Sequence, residues 1–386
     1  MKMPYRKKAA ALGVAALSAS LLAACSSSSS GSSAPATNGP SSGSAVASGA
    51  AAAAAFVKPY LSAPAGVGIT TPLRSVPPKG KRIVVLANET PAGALFYQPL
   101  RAASATLGWT VTNVPIGSTP SSIAAAFQSA LALHPSAIEA ESLAPATLTT
   151  ELQQAKAQGV PVGFSGGGAS IATGGVGDVD GVQMIQLELK VDIANIVAQS
   201  NGTAHILLVD VPAASGDFTT ADSYFKSTVA SYCQGCKVTV LDEQLSDIGT
   251  QLPNDVVGVI QKDPSINYLA FTFGDMSIGV VPALKAAGLS DVKVTGILPD
   301  SQNAADLKSG LEDAWVGSAT TIVAWGAVDS FARKFEGMPT DVDQNWQQPI
   351  QLLTKDNISS AAFANNYYLG LPTYAQSFER LWKVSS

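Results

Sequence analysis

Arg82-Ile83-Val84-Val85-Leu86-Ala87 is a continuous apolar run, and it opens a regular alternation that decides the fold. Strand-like runs follow at 109–114, 136–140 and 160–164, with segments of helical character at 94–107, 120–133 and 145–158. Short strands separated by helices of this length indicate βαβ units and a parallel sheet. The stretch 81–164 thus predicts an α/β architecture.

The same alternation restarts beyond a glycine-rich break at 165–181. Alternating helices and strands are predicted at 182–199, 204–209, 219–232, 237–241, 254–261, 268–273, 278–287 and 292–297. We therefore expect two doubly wound parallel-sheet lobes. Ligands of such sheets bind beyond the carboxyl ends of the strands, and two facing sheets would form one cleft there.

Composition narrows the classes of function. The 386 residues exceed what one hydrophobic core usually serves, and 46% of them are hydrophobic, which favours two domains. Lys and Arg total 23 against 28 Asp and Glu, so no nucleic acid partner is expected. With two His and three Cys, we also expect no metal site and no cofactor.

The first 24 residues have the pattern of an export signal. Four cations, at Lys2, Arg6, Lys7 and Lys8, precede an apolar run at 9–24 that is too short to span a membrane. The run ends in Leu22-Ala23-Ala24-Cys25, which resembles a bacterial lipobox. That resemblance implies cleavage before Cys25 and lipidation of its thiol. The alternative is an ordinary signal peptide with a chance Cys.

Two segments separate the signal from the folded part. Residues 25–55 are almost entirely Ser, Gly and Ala after Cys25, and are predicted as a disordered tether. Residues 56–80 are rich in Pro, and we expect them to lie over the surface of the first domain.

Several short motifs have simpler interpretations than catalysis. Ser165-Gly166-Gly167-Gly168 lacks the Lys of a phosphate loop, which favours a loop or hinge. Asp178 and Asp180 lack the spacing of a calcium loop, which favours a solvated turn over a cation site. The pair Cys233 and Cys236 is interpreted as a structural disulfide, with a zinc or redox motif as the alternatives.

Aromatic residues near predicted strand ends are candidate ligand contacts. They are Phe96, Tyr97, Phe218, Phe273 and Trp325. An aromatic side chain against a ligand face is a common binding device, but packing in the core is the open alternative for each.

Phrases spread over about 81–386 resemble a known family in their order and spacing. They include Leu107-Gly108-Trp109-Thr110-Val111, Ala157-Gln158-Gly159-Val160-Pro161-Val162, Leu284-Lys285-Ala286-Ala287-Gly288, Trp325-Gly326-Ala327-Val328-Asp329 and Phe378-Glu379-Arg380-Leu381-Trp382. With the lipobox and tether, they resemble the solute-binding lipoproteins of ABC importers. The branch is the type I periplasmic-binding fold, ribose-binding-protein-like and often labelled "sugar". High Ala and Gly with low Lys suggest an actinobacterial source.

The resemblance implies two lobes joined by a three-crossover hinge, with crossovers near 178–182, 320–323 and 338–348. The N-terminal lobe would comprise 81–180 plus 323–345, and the C-terminal lobe 181–322 plus 346–386. The family also implies a monomer without enzyme activity. It would lie outside the cytoplasm on the outer face of the cell membrane, deliver a small molecule to ABC permease subunits, and close on its ligand.

The chain departs from the family at the usual charged sugar contacts. Ser165-Gly166, Thr219-Thr220-Ala221, Phe273-Gly274 and Leu298 stand where sugar-binding members carry Arg, Asn-Asp or Asp. A sugar or sugar-like ligand is expected, with a less polar one such as a nucleoside or aromatic compound as the alternative. An exported hydrolase and a sensing receptor are further alternatives. The candidate ligand contacts are Glu89, Thr90, Phe96, Glu141, Phe218, Phe273, Asp275, Thr320 and Trp325.

Overall fold

The computed structural model describes residues 42–87, 91–117, 119–166, 181–214, 216–339, 346 and 348–384. Over these ranges, strands and helices alternate and two main sheets form, each built mostly of parallel strands. The predicted α/β class with two parallel-sheet lobes is confirmed.

The first lobe is built around a four-stranded parallel sheet. Its series comprises β1 (Arg82–Ala87), α2 (Pro91–Thr106), β2 (Thr110–Pro115), α3 (Pro120–Ala132), β3 (Ala137–Glu141), α4 (Thr149–Ala157) and β4 (Val162–Ser165), preceded by helix α1 (Ser42–Val57). The strand order is β2-β1-β3-β4. Thr119 starts α3, because its hydroxyl accepts the Ser122 N–H at 3.2 Å while Pro120 takes the first helical position.

The second lobe is built around a six-stranded sheet. Its series comprises α5 (Val182–Gln199), β5 (His205–Asp210), α6 (Ala221–Tyr232), β6 (Lys237–Asp242), α7 (Leu252–Lys262), β7 (Tyr268–Phe271), α8 (Val280–Ala286), β8 (Lys293–Ile297), α9 (Ser301–Ser309) and β9 (Ala314–Ser318). The chain ends with α10 (Thr320–Phe335), β10 (Ile350–Thr354), β11 (Phe363–Ala364), β12 (Tyr367–Tyr368) and α11 (Tyr374–Leu381). The order is β10-β9-β8-β7-β5-β6, and β10 alone runs antiparallel.

Helices cover both faces of each sheet, which explains the unbroken apolar runs in the strands. In β1, Ile83 and Val85 face one hydrophobic cluster while Val84 and Leu86 face another. The strand β5 divides in the same way, with Ile206 and Leu208 on one side and Leu207 and Val209 on the other.

The C-terminal residues are shared between the lobes differently from the predicted division. The strand β10 lies in the second sheet. Trp346 and the helix α11, with Phe378 and Trp382, lie instead in the core of the first lobe beside α10. The reason is apolar packing: Trp325 of α10 contacts the rings of Phe378 and Trp382, although it lies more than 50 residues earlier in the sequence.

The segment that follows α1 connects both lobes. A short helical turn at 58–61 lies against β10, and the Leu61 carbonyl accepts a hydrogen bond from Asn357 Nδ2 at 2.9 Å. A few residues later Val67 and Leu73 are buried in the first core, and the Leu73 N–H donates to the Leu381 carbonyl at 2.8 Å. The Pro-rich lead-in therefore does more than cover the first domain, since it ties the two lobes together.

Helix α1 corrects the prediction that 25–55 is disordered. Its Ala53 and Val57 are buried in the core that α5 and α6 form. A Cβ on Gly49 would lie 2.0 Å from the Tyr232 carbonyl oxygen, so only glycine allows this approach. The run of Ala favours a helix, and small side chains let that helix dock closely. Residues 25–41 of the predicted tether lie outside the described residues.

A buried ion pair fastens three distant parts of the chain. Arg333 Nε donates to Asp329 Oδ2 at 2.5 Å in α10, and both side chains are fully buried. The guanidinium also donates to the Thr71 carbonyl at 2.7 Å, and Trp382 Nε1 donates to Asp329 Oδ1 at 2.8 Å. The lead-in, α10 and the C-terminal end thus meet at one charged network.

Candidate functional site

Polar side chains gather at the carboxyl ends of the parallel strands. In the first lobe, Glu141 ends β3. In the second lobe, Asp210 ends β5, while Asp275 and Asp300 follow β7 and β8. Ligands of doubly wound sheets bind at this edge, so it is the candidate site in each lobe.

Glu141 is half-buried, and its Oε2 accepts no hydrogen bond among the described residues. The strand bends sharply after it, because Ser142 has a φ of 54° and donates its N–H to the Ser165 carbonyl at 2.7 Å. Burial raises the pKa of Glu141 to about 8. Without a ligand, this carboxyl is therefore largely protonated at neutral pH.

Asp210 is fully buried at the end of β5. Its Oδ1 accepts a hydrogen bond from the Thr272 hydroxyl at 3.1 Å, while Oδ2 accepts none among the described residues. Burial raises the pKa of Asp210 to about 6, and the Thr272 hydroxyl and the Val211 N–H oppose that rise. The free oxygen leaves Asp210 able to accept a hydrogen bond from a ligand.

An aromatic pair lies beside Asp210. The rings of Phe218 and Phe273 have centroids 5.8 Å apart, and Phe273 directly follows the Thr272 that binds Asp210. Phe273 is half-buried, whereas Phe218 is 7% exposed. Gly274 fixes the turn after Phe273, because a Cβ there would lie 2.2 Å from Asn303 Oδ1.

The carboxyl groups of Asp275 and Asp300 lie beyond the ends of β7 and β8. Asp300 accepts the N–H groups of Gln302 and Asn303, which starts α9. Burial and the hydrogen-bonded Asp300 carboxyl raise the pKa of Asp275. Burial and the two carboxylates raise the pKa of Tyr367 to about 12. The side chains of Asp275 and Asp300 thus share a hydrogen bond beyond the ends of β7 and β8.

The other predicted contacts divide into three groups. Phe96 and Trp325 lie in the core of the first lobe, 3% and 4% exposed, where Trp325 stacks on Trp382 at 5.3 Å. Both side chains therefore pack in the core, which was the alternative to ligand contact for the predicted aromatic residues. Thr320 is half-buried at the first turn of α10. Glu89 and Thr90 lie outside the described residues.

Sequence reasoning missed Asp210, Thr272, Asp300 and Tyr367. A usable signal existed for Asp210, since an acid that closes an apolar strand must lie at the carboxyl edge. Tyr367 gave no such signal, because it reaches Asp300 only through the backbone pairing of the small β11–β12 hairpin.

Cys233 and Cys236 form a disulfide where α6 ends. His205 lies at the amino edge of the second sheet, away from the candidate site, and contacts Ser265 and Thr239 at 2.8 and 3.0 Å. Within the described residues, no group of three or more His, Cys, Asp or Glu side chains is arranged to hold a metal ion. Across the same residues, no helix combines the length and apolarity needed to cross a membrane.

A family model described as "Periplasmic binding protein domain" matches residues 94–338. No curated protein sequence matches the chain significantly.

Solved structures agree with the fold. An ABC transporter solute-binding protein from Agrobacterium vitis with bound allitol is 18% identical, with a TM-score of 0.61 over 73% of this chain and 98% of that one. A glucose-galactose binding protein from Geobacillus stearothermophilus is 14% identical, with a TM-score of 0.62 over 72% and 99%. A 5-methylthioribose transporter solute-binding protein from Thermotoga lettingae is 16% identical, with a TM-score of 0.62 over 81% and 99%.

Proposed function

The chain belongs to the periplasmic binding protein domain family, and from that premise we propose that it is a lipid-anchored receptor that delivers a small molecule to an ABC importer. Proteins of this family bind solutes outside the cytoplasm and are not enzymes. One observation carries the proposal. Both sheets carry, at their carboxyl edges, a carboxyl oxygen without a partner among the described residues, on Glu141 and on Asp210.

Capture would proceed by closure of the two lobes on the ligand. The carboxyl edges supply hydrogen-bonding groups from both lobes, and the Phe218–Phe273 pair supplies an apolar surface. A ligand that contacts both lobes binds the closed form better than the open form, and so shifts the population toward closure. The permease would recognise this closed form.

The ligand that we propose is the size of a monosaccharide. The similar structures were solved with allitol and 5-methylthioribose, and a third binds glucose or galactose. The aromatic pair and the absence of Arg at the positions named above favour a ligand with an apolar part, and 5-methylthioribose combines a sugar ring with such a part.

The proposed anchor is the lipid on Cys25. Since α1 begins at Ser42, the tether would comprise 26–41. A flexible chain of that length spans roughly 20–25 Å, from ~5–6 Å times the square root of the residue number. Because α1 docks on α5 and α6, the anchor would attach to the second lobe.

Two measurements test the proposal. Isothermal titration of the chain from Ser26 on with allitol, glucose, galactose and 5-methylthioribose is expected to give one-site binding to at least one of them. If none of the four compounds gives a binding heat, the proposal of a sugar-like ligand is contradicted. Labelling of growing cells with radioactive palmitate is expected to mark the protein and to fail with Cys25→Ser. Unlabelled wild-type protein at normal yield would favour the ordinary signal peptide.

A further inference from the structure

The positive charges of this chain avoid the carboxyl edges of both sheets. In the sequence, no Lys or Arg occurs between the last residue of any parallel strand and the first turn of the helix that follows it. This holds for every such connection, including the residues outside the described ranges. Lys and Arg total 23 in the chain, so their absence from all of these strand-to-helix connections is a clear asymmetry.

The cations collect at the opposite, amino edges. Three of them begin strands, namely Arg82, Lys237 and Lys293. Others lie in the last turns of helices, which run back toward the amino edge: Lys156, Lys262, Lys285, Lys308 and Lys334. Lys226, the sixth residue of α6, is half-exposed and pairs with Asp222 at 3.3 Å.

The carboxyl edges carry acids instead. Glu141, Asp210, Asp242, Asp275 and Asp300 end or follow β3, β5, β6, β7 and β8 in turn. The second lobe is therefore polarised, with its negative end at the ligand edge, whereas Glu141 of the first lobe is largely uncharged without a ligand. A field of this sign attracts cations and repels anions.

Asp210 adds an independent observation. Its side chain is fully buried, Oδ2 has no hydrogen-bond partner among the described residues, and the nearby charges that act on it are the acids Asp242 and Asp222. A buried carboxylate without a counter-charge is costly, and a cation within about 4–6 Å removes most of that penalty. The neighbouring Phe218–Phe273 pair offers ring faces that also attract cations.

We propose that the ligand carries a positive charge, an ammonium or amidinium group, which Asp210 receives at the carboxyl edge of the second lobe. This inference rests on the proposed function and names the ligand class of the same site. Anionic solutes such as sugar phosphates and carboxylates are rejected, because the described edges offer them no counter-charge. The rest of the ligand is a hydroxylated or aromatic body that Glu141, Asp275 and the phenylalanine pair contact.

The test uses two sets of compounds, and within each set one substituent is cationic, neutral or anionic on the same body. One set is glucosamine, glucose and glucose 6-phosphate; the other is phenethylamine, phenethyl alcohol and phenylacetate. Each is titrated by calorimetry into the chain from Ser26 on, and the thermal melting shift is recorded in parallel. In at least one set we expect the amine to bind tenfold or more tightly than the neutral compound, and the anion not to bind.

Asp210→Asn tests the residue, with Asp291→Asn as the matched control, since Asp291 is exposed just before β8. Asp210→Asn is expected to weaken amine binding at least tenfold more than it weakens binding of the neutral compound, and the control to change neither. Equal affinity for amine and neutral compound, or tighter anion binding, would overturn the charge assignment and leave the receptor function standing. No binding in either set, together with no heat from the four sugars above, would overturn both.

Discussion

Replacing Arg333 with Met isolates the buried ion pair of α10. In the wild-type protein, Arg333 Nε donates to Asp329 at 2.5 Å and neither side chain is exposed. Burial raises the pKa of Asp329, and the Arg333 guanidinium and the Trp382 N–H oppose that rise. Met fills a similar volume but removes the counter-charge, so the Asp329 carboxyl is left to protonate in the folded state.

The loss of stability in Arg333→Met follows from the free energy needed to keep the Asp329 carboxyl protonated. A carboxyl whose unfolded pKa is about 3.9 needs about 1.4 kcal/mol per pH unit to stay protonated, which is about 4 kcal/mol at pH 7. Losing one partner of a buried pair typically costs about 3–5 kcal/mol, in agreement. Because the folded pKa lies above the unfolded one, the loss shrinks as pH falls and is about 1.5 kcal/mol at pH 5.

Urea unfolding at pH 7 and pH 5, followed by tryptophan fluorescence, measures the loss in the free energy of unfolding at each pH. Lys334→Met is the matched control, since Lys334 is exposed on the next position of the same helix, and it should change stability by less than about 0.5 kcal/mol. Adding Asp329→Asn to Arg333→Met should recover part of the loss at pH 7. A loss below about 1 kcal/mol at pH 7, or one that does not depend on pH, would refute the reasoning.

Three further predictions concern other parts of the chain. Gly258→Ala, in open space on α7, should raise the free energy of unfolding by up to about 1 kcal/mol. The free energy of unfolding of Gly49→Ala should be about 1–3 kcal/mol lower than that of Gly258→Ala, because the added Cβ would clash with the Tyr232 carbonyl. Equal gains for the two variants in urea unfolding would contradict the docking of α1. Converting Cys233 and Cys236 to Ser should cost about 2 kcal/mol, the loop-closure value for so short a loop, and an unchanged melting temperature would count against a stabilising disulfide. Glu141→Gln should stabilise the ligand-free protein by about 4–5 kcal/mol at pH 8 and hardly at pH 4, since a folded pKa of about 8 against an unfolded pKa of about 4.3 makes wild-type stability fall between these pH values. A gain that is the same at both pH values would show that Glu141 titrates normally.

The alternation of strands and helices was readable from the sequence because helices cover both faces of each sheet. Runs such as 82–87 and 205–210 are apolar at nearly every position, a local signal that needs no knowledge of the partner strands. Helix α1 was not readable in this way. Its Ser, Gly and Ala composition is also that of a flexible tether, and only docking on α5 and α6, more than a hundred residues away, separates the two.

The candidate site was readable only in part. Glu141, Phe273 and Asp275 lie at carboxyl edges as expected, because position along a strand follows from the strand itself. Trp325 was predicted near a strand end, yet it packs in the core against Phe378 and Trp382, which lie more than 50 residues later in the sequence. Contacts of that sequence separation leave no local pattern, and neither does the approach of Tyr367 to Asp300.

Native mass spectrometry tests the central claim, capture of a small molecule, most directly. The full chain with Cys25→Ser is expressed with its native signal, collected outside the cytoplasm and purified without unfolding, because tight receptors retain their ligand through purification. We predict a single adduct of one small molecule per chain that disappears on denaturation and carries a basic nitrogen. Bare protein, with no melting shift from any compound of either test set or from the four sugars, would contradict the claim that this chain is a solute receptor.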